Sequence, residues 1–230
     1  MLFYAVVILP CLFDCGGGEI CTHNWLTLNN RHARHAGKSP ESKFTACKDF
    51  YNCLRGLLAQ SQPDFFSATV LETALVGRHP YLGRWDWESP EDEAIALDAL
   101  AQMGLEGFAE RQVPTLSGGE RQRLAIAALL VQQPRLYLLD EPLSHLDLHH
   151  EIAVLEHFRG LAASGSGVAM VLHDINLAAR YASHVLLLDG EGGHVFGPAR
   201  TVLTVERLSA AFGHPLRAVM DGETSLFVPV

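Results

Sequence analysis

The sequence predicts an α/β protein built on a mostly parallel sheet, and two observations carry that prediction. "LYLLD" (136–140) and "VAMVLHD" (168–174) are unbroken apolar runs ending in acidic or polar residues. Strands buried on both faces of a parallel sheet look like this, and they present functional groups at their carboxyl ends. Between the two runs lies an amphipathic helical pattern closed by glycine, so strand, helix and strand alternate. A chain of 230 residues with 48% hydrophobic content can bury a core of the size this fold needs.

The elements follow in chain order. "MLFYAVVILPCLF" is apolar for 13 residues before Asp14 interrupts it. That run is too short to cross a bilayer as a helix, and it lacks the positive flank of a secretory signal, so it reads as a strand over Leu2–Leu9. "GLLAQ" is a short strand that delivers Gln60 to a site. In "SPEDEAIALDALAQMGLEGF" Ser89 caps a helix, Pro90 suits its first position and Asp92 has capping-box spacing. Ala96, Leu97, Leu100 and Met103 fall on one face of that helix and Gly104 stops it. A second helix follows Ser117, with Leu124, Ala127, Ala128 and Val131 on one side. "LHHEIAVLEHFRGLAASG" is the helix between the two central strands. "HVLLLDGEGGHVFG" is a hairpin by its Asp-Gly and Gly-Gly turn signals. "TVERLSAAFG" is a short helix and "SLFVPV" a final edge strand.

Composition divides the chain. All five cysteines (Cys11, Cys15, Cys21, Cys47, Cys53) and all three lysines (Lys38, Lys43, Lys48) precede residue 56. From Leu57 onward 11 arginines face 22 acidic residues, a balance of -11 against +2 for the first 56 residues. Residues 1–56 therefore read as an atypical N-terminal segment of different origin, as a frameshift, a wrong start or a join to foreign sequence would leave, and residues 57–230 as the functional domain. The cysteine-free body needs no oxidising compartment. A net charge of -9 offers no basic face to nucleic acid.

Two clusters carry chemistry. "LLDEP" puts Asp140 and Glu141 at the end of a buried strand, where one carboxylate can hold Mg²⁺ and its neighbour can orient or deprotonate an attacking water. "LSGGE" (116–120) sets Ser117, Gly118, Gly119 and Glu120 at a helix start, where free N–H groups and the helix dipole favour an anion. "SHLD" with Asp147 follows, and His173 stands at the end of the next strand.

Taken together and in this order, these motifs resemble the ATP-binding subunit of ABC transporters. In that family "LSGGE" is the signature motif and "LYLLDE" is the Walker B strand with the catalytic glutamate. "SHLD" resembles the D-loop, His173 the switch histidine and Gln60 the Q-loop glutamine, nine residues ahead of "TVLETALVGRHPYLG". The resemblance covers residues 57–230 and implies a P-loop NTPase-like sheet with a helical signature subdomain at about 70–130. It implies catalytic roles for Glu141, His173 and Gln60, and nucleotide contacts from Ser117, Gly118, Gly119, Glu120 and Asp147. Asp140 and Gln60 would serve Mg²⁺, with ATP as the nucleotide. "GRHPYLGRW" and the stretch from "VLHDINLAARYASHV" to "AAFGHPL" look most like importers of iron-siderophores, haem and cobalamin. The implied partners are a second nucleotide-binding subunit, a transmembrane permease and, through it, a substrate-binding protein. The implied location is the cytoplasmic face of a bacterial inner membrane.

The family's phosphate loop, G-x-x-x-x-G-K-[ST], is the element the chain does not show. "HARHAGKSP" (32–40) matches at Gly37, Lys38 and Ser39, but His32 replaces the first glycine and Lys38 precedes Gln60 by only 22 residues. Two other readings stay open beside the importer ATPase. One is a non-hydrolysing or regulatory relative without a working phosphate loop, and the other is a soluble ATPase uncoupled from transport.

Overall fold

The structure is a computed structural model that describes residues 5–9, 54–60, 67–83, 85–188, 193–222 and 224–230. Lys38, the five cysteines and the Asp-Gly turn of the predicted hairpin lie outside the described residues.

Six strands form the main sheet: β1 (Ala5–Leu9), β2 (Arg55–Leu58), β3 (Leu136–Asp140), β4 (Gly167–Leu172), β5 (His184–Leu188) and β6 (His194–Pro198). Their spatial order is β2-β3-β4-β1-β5-β6. β2, β3 and β4 are parallel neighbours, Leu57 facing Leu138 and Leu138 facing Ala169. β1 runs antiparallel to both β4 and β5, and β6 antiparallel to β5. Four of the six strands thus point one way, as the apolar runs predict.

Three helices pack together between β2 and β3: α1 (Val70–Leu75), α2 (Pro90–Gln102) and α3 (Gly118–Val131). Thr69 and Glu72 close a capping box on α1, and Ser89 and Asp92 close one on α2, each satisfying two backbone donors that a helix start leaves free. Gly104 takes φ +64 just past α2, a left-handed turn that glycine adopts at no steric cost. The buried face of α2 is Ala96, Ala99, Leu100 and Met103, whereas Leu97 is 43% exposed and does not belong to it. The one-sided face expected for α3 is also corrected. From Leu124 to Val131 every residue but Ala128 is buried, because this helix is packed by α1, α2 and the sheet at once.

The carboxyl end of α3 is a junction. Its orphan carbonyls, which no intrahelical donor reaches, are met by side chains from the turn after α1: Arg78 Nη1 donates to Val131 O at 3.3 Å and Tyr81 Oη to Gln132 O at 2.7 Å. Gln132 Nε2 donates in turn to Arg55 O at 3.0 Å, tying the helix to β2. Arg78 also pairs with the buried Asp92 at 2.6 Å.

α4 (Leu148–Ala163) and α5 (Ile175–Tyr181) flank β4 in sequence, and Phe158, Leu155 and Val154 bury α4 against the sheet. Two short helices, α6 (Ala199–Val202) and α7 (Val205–Phe212), lead to a hairpin of β7 (Leu216–Asp221) and β8 (Thr224–Pro229). "SLFVPV" is a strand as expected, but it pairs with β7 in a separate two-stranded sheet rather than edging the main one. Asn176 fastens that sheet: its Oδ1 accepts from Phe227 N at 2.7 Å and its Nδ2 donates to Phe227 O at 3.2 Å.

Candidate nucleotide site

Parallel strands bring their carboxyl ends to one edge, so β2, β3 and β4 deliver Gln60, Asp140 with Glu141, and His173 to the same place. Asp140 closes β3. Glu141 then adopts φ +48, a left-handed conformation uncommon for a side-chain-bearing residue, which swings its carboxylate out of the strand's alternation. His173 Nε2 donates to Glu141 Oε1 at 2.6 Å. The Gln60 carboxamide donates to the same carboxylate. Ser144 Oγ reaches Glu141 Oε2 at 3.4 Å. The glutamate is held from three sides with only 11% of its side chain exposed, while the imidazole is 44% open to solvent.

The hydrogen bond from His173, and after it that from Gln60, keep Glu141 below the usual carboxylate range against the desolvation that pushes it up. The group is ionised at neutral pH and has a bond acceptor ready for a water. Asp140 and Gln60 supply hard oxygen atoms, the donor type Mg²⁺ takes when phosphate and water complete its octahedron. Among the described residues no three His, Cys, Asp or Glu side chains gather at a metal-sized point.

The second cluster caps α3. Ser117 Oγ accepts from Glu120 N at 3.3 Å, and Glu120 Oε2 accepts from Ser117 N at 2.7 Å. Those bonds hold Glu120 below the usual range, and Arg111 lies 3.6 Å from its other oxygen. Glu120 therefore serves its own helix start. Ser117 and Gly118 stay exposed at a positive dipole end. Asp147 caps α4, accepting from His150 N at 2.9 Å, and its carboxylate is largely exposed.

The loop from Pro142 to Leu146 joins the two clusters. Gln122 Nε2 donates to Pro142 O at 2.9 Å. A Cβ placed on Gly119 would lie 2.8 Å from His145 O, so the glycine lets the loop backbone press onto the helix start. Ser144, Arg111 and Gln122 were not singled out by the sequence. A serine, an arginine and a glutamine beside known motifs carry no pattern of their own, and only the fold shows what they touch.

Known proteins resemble this chain in sequence and in fold. The profile of the ABC transporter family matches residues 26–144. A hemin import ATP-binding protein from Deinococcus radiodurans is 45% identical over 70% of this chain and 62% of its own length. An achromobactin transport ATP-binding protein from Dickeya dadantii is 40% identical over 70% of this chain and 61% of its own. Among solved structures, a chain of a metal-chelate type ABC transporter in an inward-facing conformation superposes with a TM-score of 0.68 over 99% of this chain and 98% of that one, at 24% identity. An ATP-binding cassette dimer in a post-hydrolysis state with ADP and phosphate gives 0.58 over 71% and 69%, at 27% identity. The chain spans less than two thirds of the length of the two import proteins it matches.

Proposed function

This chain belongs to the ABC transporter family, and on that premise we propose that it is the ATP-binding subunit of an importer for an iron-siderophore, haem or cobalamin. The single observation that carries the proposal is the convergence of Gln60, Glu141 and His173 at one sheet edge. Where a terminal phosphate is held beside β3 and β4, Glu141 orients or deprotonates the attacking water and His173 steadies the phosphate. Mg²⁺ at Asp140 and Gln60 would supply charge neutralisation there. Ser117, Gly118, Gly119 and Glu120 present the capped helix start to the nucleotide of a second cassette, with Asp147 flanking them. The relatives named for hemin import and achromobactin transport support the substrate class.

Among the described residues no helix is long and apolar enough to cross a membrane. Membrane contact in this reading comes through a permease docked near Gln60 and the segment after it, on the cytoplasmic face, with a substrate-binding protein acting on the far side. The test is affinity purification of the tagged chain from detergent-solubilised membranes of its host. Co-purification of a polytopic permease, and loss of growth on haem or a ferric siderophore when the gene is deleted, are the expected results. Recovery of the chain without any integral membrane protein, and unchanged growth on every chelate, would refute the proposal.

A further inference from the structure

A buried tyrosine ordinarily finds a hydrogen-bond partner for its hydroxyl. Tyr81 donates to Gln132 O and Tyr181 to Glu156. Tyr137 on β3 is only 3% exposed, its ring set edge-on against Phe158 at 5.5 Å, yet among the described residues its hydroxyl meets no partner. No unpaired side-chain oxygen among those residues is fully sealed, so the open part of Tyr137 includes that hydroxyl. Tyr137 lines a cavity of about 270 Å³ between the sheet and three helices. From α2 come Ile95, Ala99 and Asp98, from the end of α3 comes Leu130, and from α4 come Leu161 and His157.

The walls are aliphatic and the polar groups few. Burial pushes the Tyr137 hydroxyl up to about 12, so it keeps its proton at neutral pH and can both donate and accept. Burial pushes the His157 imidazole below its ordinary value, against the pull of Asp98, so it is neutral at pH 7 and one ring nitrogen is an acceptor. Asp98 is the one acidic side chain lining the cavity, and among the described residues no lysine or arginine stands with it. Gln102 Nε2 donates to Asp98 Oδ2 at 2.6 Å, which leaves the carboxylate further lone pairs.

We propose that this cavity is a binding site for a small primary amine, taken in its ammonium form with a compact apolar body. The ammonium is a three-fold donor, and Asp98, His157 and Tyr137 are the acceptors the cavity offers it. The apolar body lies against Ile95, Ala99, Leu130 and Leu161. Those walls give water few bonds, so the water they hold is displaced at little cost. A carboxylate of the same shape is refused, because Asp98 repels it and no cation compensates. The volume lies just below the roughly 300–1,000 Å³ of ordinary ligand pockets, which suits a metabolite much smaller than a nucleotide. Tyr137 precedes Asp140 by three residues, about 10 Å along the strand, so the site stands apart from the cluster at Glu141. An amine seated there bridges α3, whose start carries Ser117, to the strand that carries Asp140.

The test is an NMR titration of the full chain, carbon-13 labelled at its leucine methyls, with phenethylamine hydrochloride at neutral pH. The Leu130 and Leu161 methyl signals should shift and saturate with a Kd of about 0.1–1 mM, as expected for a ligand of about nine non-hydrogen atoms. Nuclear Overhauser effects should connect those methyls to the ring protons of the probe. Phenylpropionate, similar in length and opposite in charge, should leave the signals in place. Asp98→Asn should weaken amine binding about tenfold or more, and Tyr137→Phe about three- to tenfold. Tyr137→Phe removes only an unpaired hydroxyl, so its thermal unfolding midpoint should stay level or rise. Equal binding of phenylpropionate, or an affinity unchanged in either variant, would overturn the proposal. So would the absence of any shift at millimolar probe, which would leave the cavity to water alone.

Discussion

Replacing Gly119 with alanine sets a methyl carbon 2.8 Å from the His145 carbonyl oxygen, whereas the same change at Gly118 meets nothing closer than His145 Cβ at 3.6 Å. Both glycines occupy the first turn of α3, so the gain in helix propensity is shared and cancels in the difference. What remains is the overlap. An ordinary carbon–oxygen contact is about 3.3–3.6 Å, so the Gly119 variant forces a retreat of about half an ångström. The atom that must move is backbone, in a residue already at φ +65, and cannot swing aside like a side chain. Overpacking of this kind costs about 1–3 kcal/mol. With a urea m-value of about 2 kcal/mol per molar, Gly119→Ala should unfold about 0.5–1.5 M earlier than Gly118→Ala. Far-UV circular dichroism in urea reads the midpoints directly. Coincident midpoints, or a Gly119 variant more resistant than the Gly118 variant, would refute the close approach of loop and helix.

Three further outcomes are expected. Asp92→Ala removes both the capping box on α2 and the buried partner of Arg78, and should destabilise the protein by about 3 kcal/mol, seen as an earlier denaturation midpoint. Asn176→Ala strips two bonds from the Phe227 backbone and should cost about 1–3 kcal/mol, with the Phe227 amide exchanging its hydrogen faster while the amides of β3 keep their protection. His173→Ala removes the main cause of the low Glu141 pKa, which should rise toward its ordinary 4.5 in a carbon-13 titration of that carboxyl. The sign follows from the depressed pKa. Ionised Glu141 contributes stability above pH 4.5, and the contribution disappears as pH falls through the native value. In His173→Ala the contribution is smaller, because the two pKa values are closer.

Local signals made much of this fold legible. Ser89, Pro90, Asp92 and Gly104 marked α2 because caps are chemical requirements of a helix end, independent of what packs around it. The T-x-x-E spacing at Thr69–Glu72 is the same kind of signal for α1. "LYLLD" and "VAMVLHD" announced β3 and β4 as unbroken apolar runs, although in the fold only alternate residues of each strand are fully buried and the others are half-buried. β7 escaped since "LRAVMD" is exposed over most of its length and therefore shows neither alternation nor a continuous apolar run. Leu97 was misplaced because a helical wheel has no knowledge of where the neighbouring helices end. At the site, Glu141, His173 and Gln60 were legible only through motif order. Their mutual bonding depends on three strands running in parallel, a tertiary fact. The direction of β1 was beyond reach for the same reason: an apolar run reads alike in both directions.

The junction at the carboxyl end of α3 has a mechanical meaning. The helix has 14 residues and is therefore a stiff rod about 21 Å long, with Ser117 at one tip and the Arg78, Tyr81 and Arg55 contacts at the other. A tilt of about 5° about the junction sweeps the far tip through about 1.8 Å, more than the tolerance of a hydrogen bond. Side chains on the turn after α1 thus set the aim of a hydroxyl that they never approach.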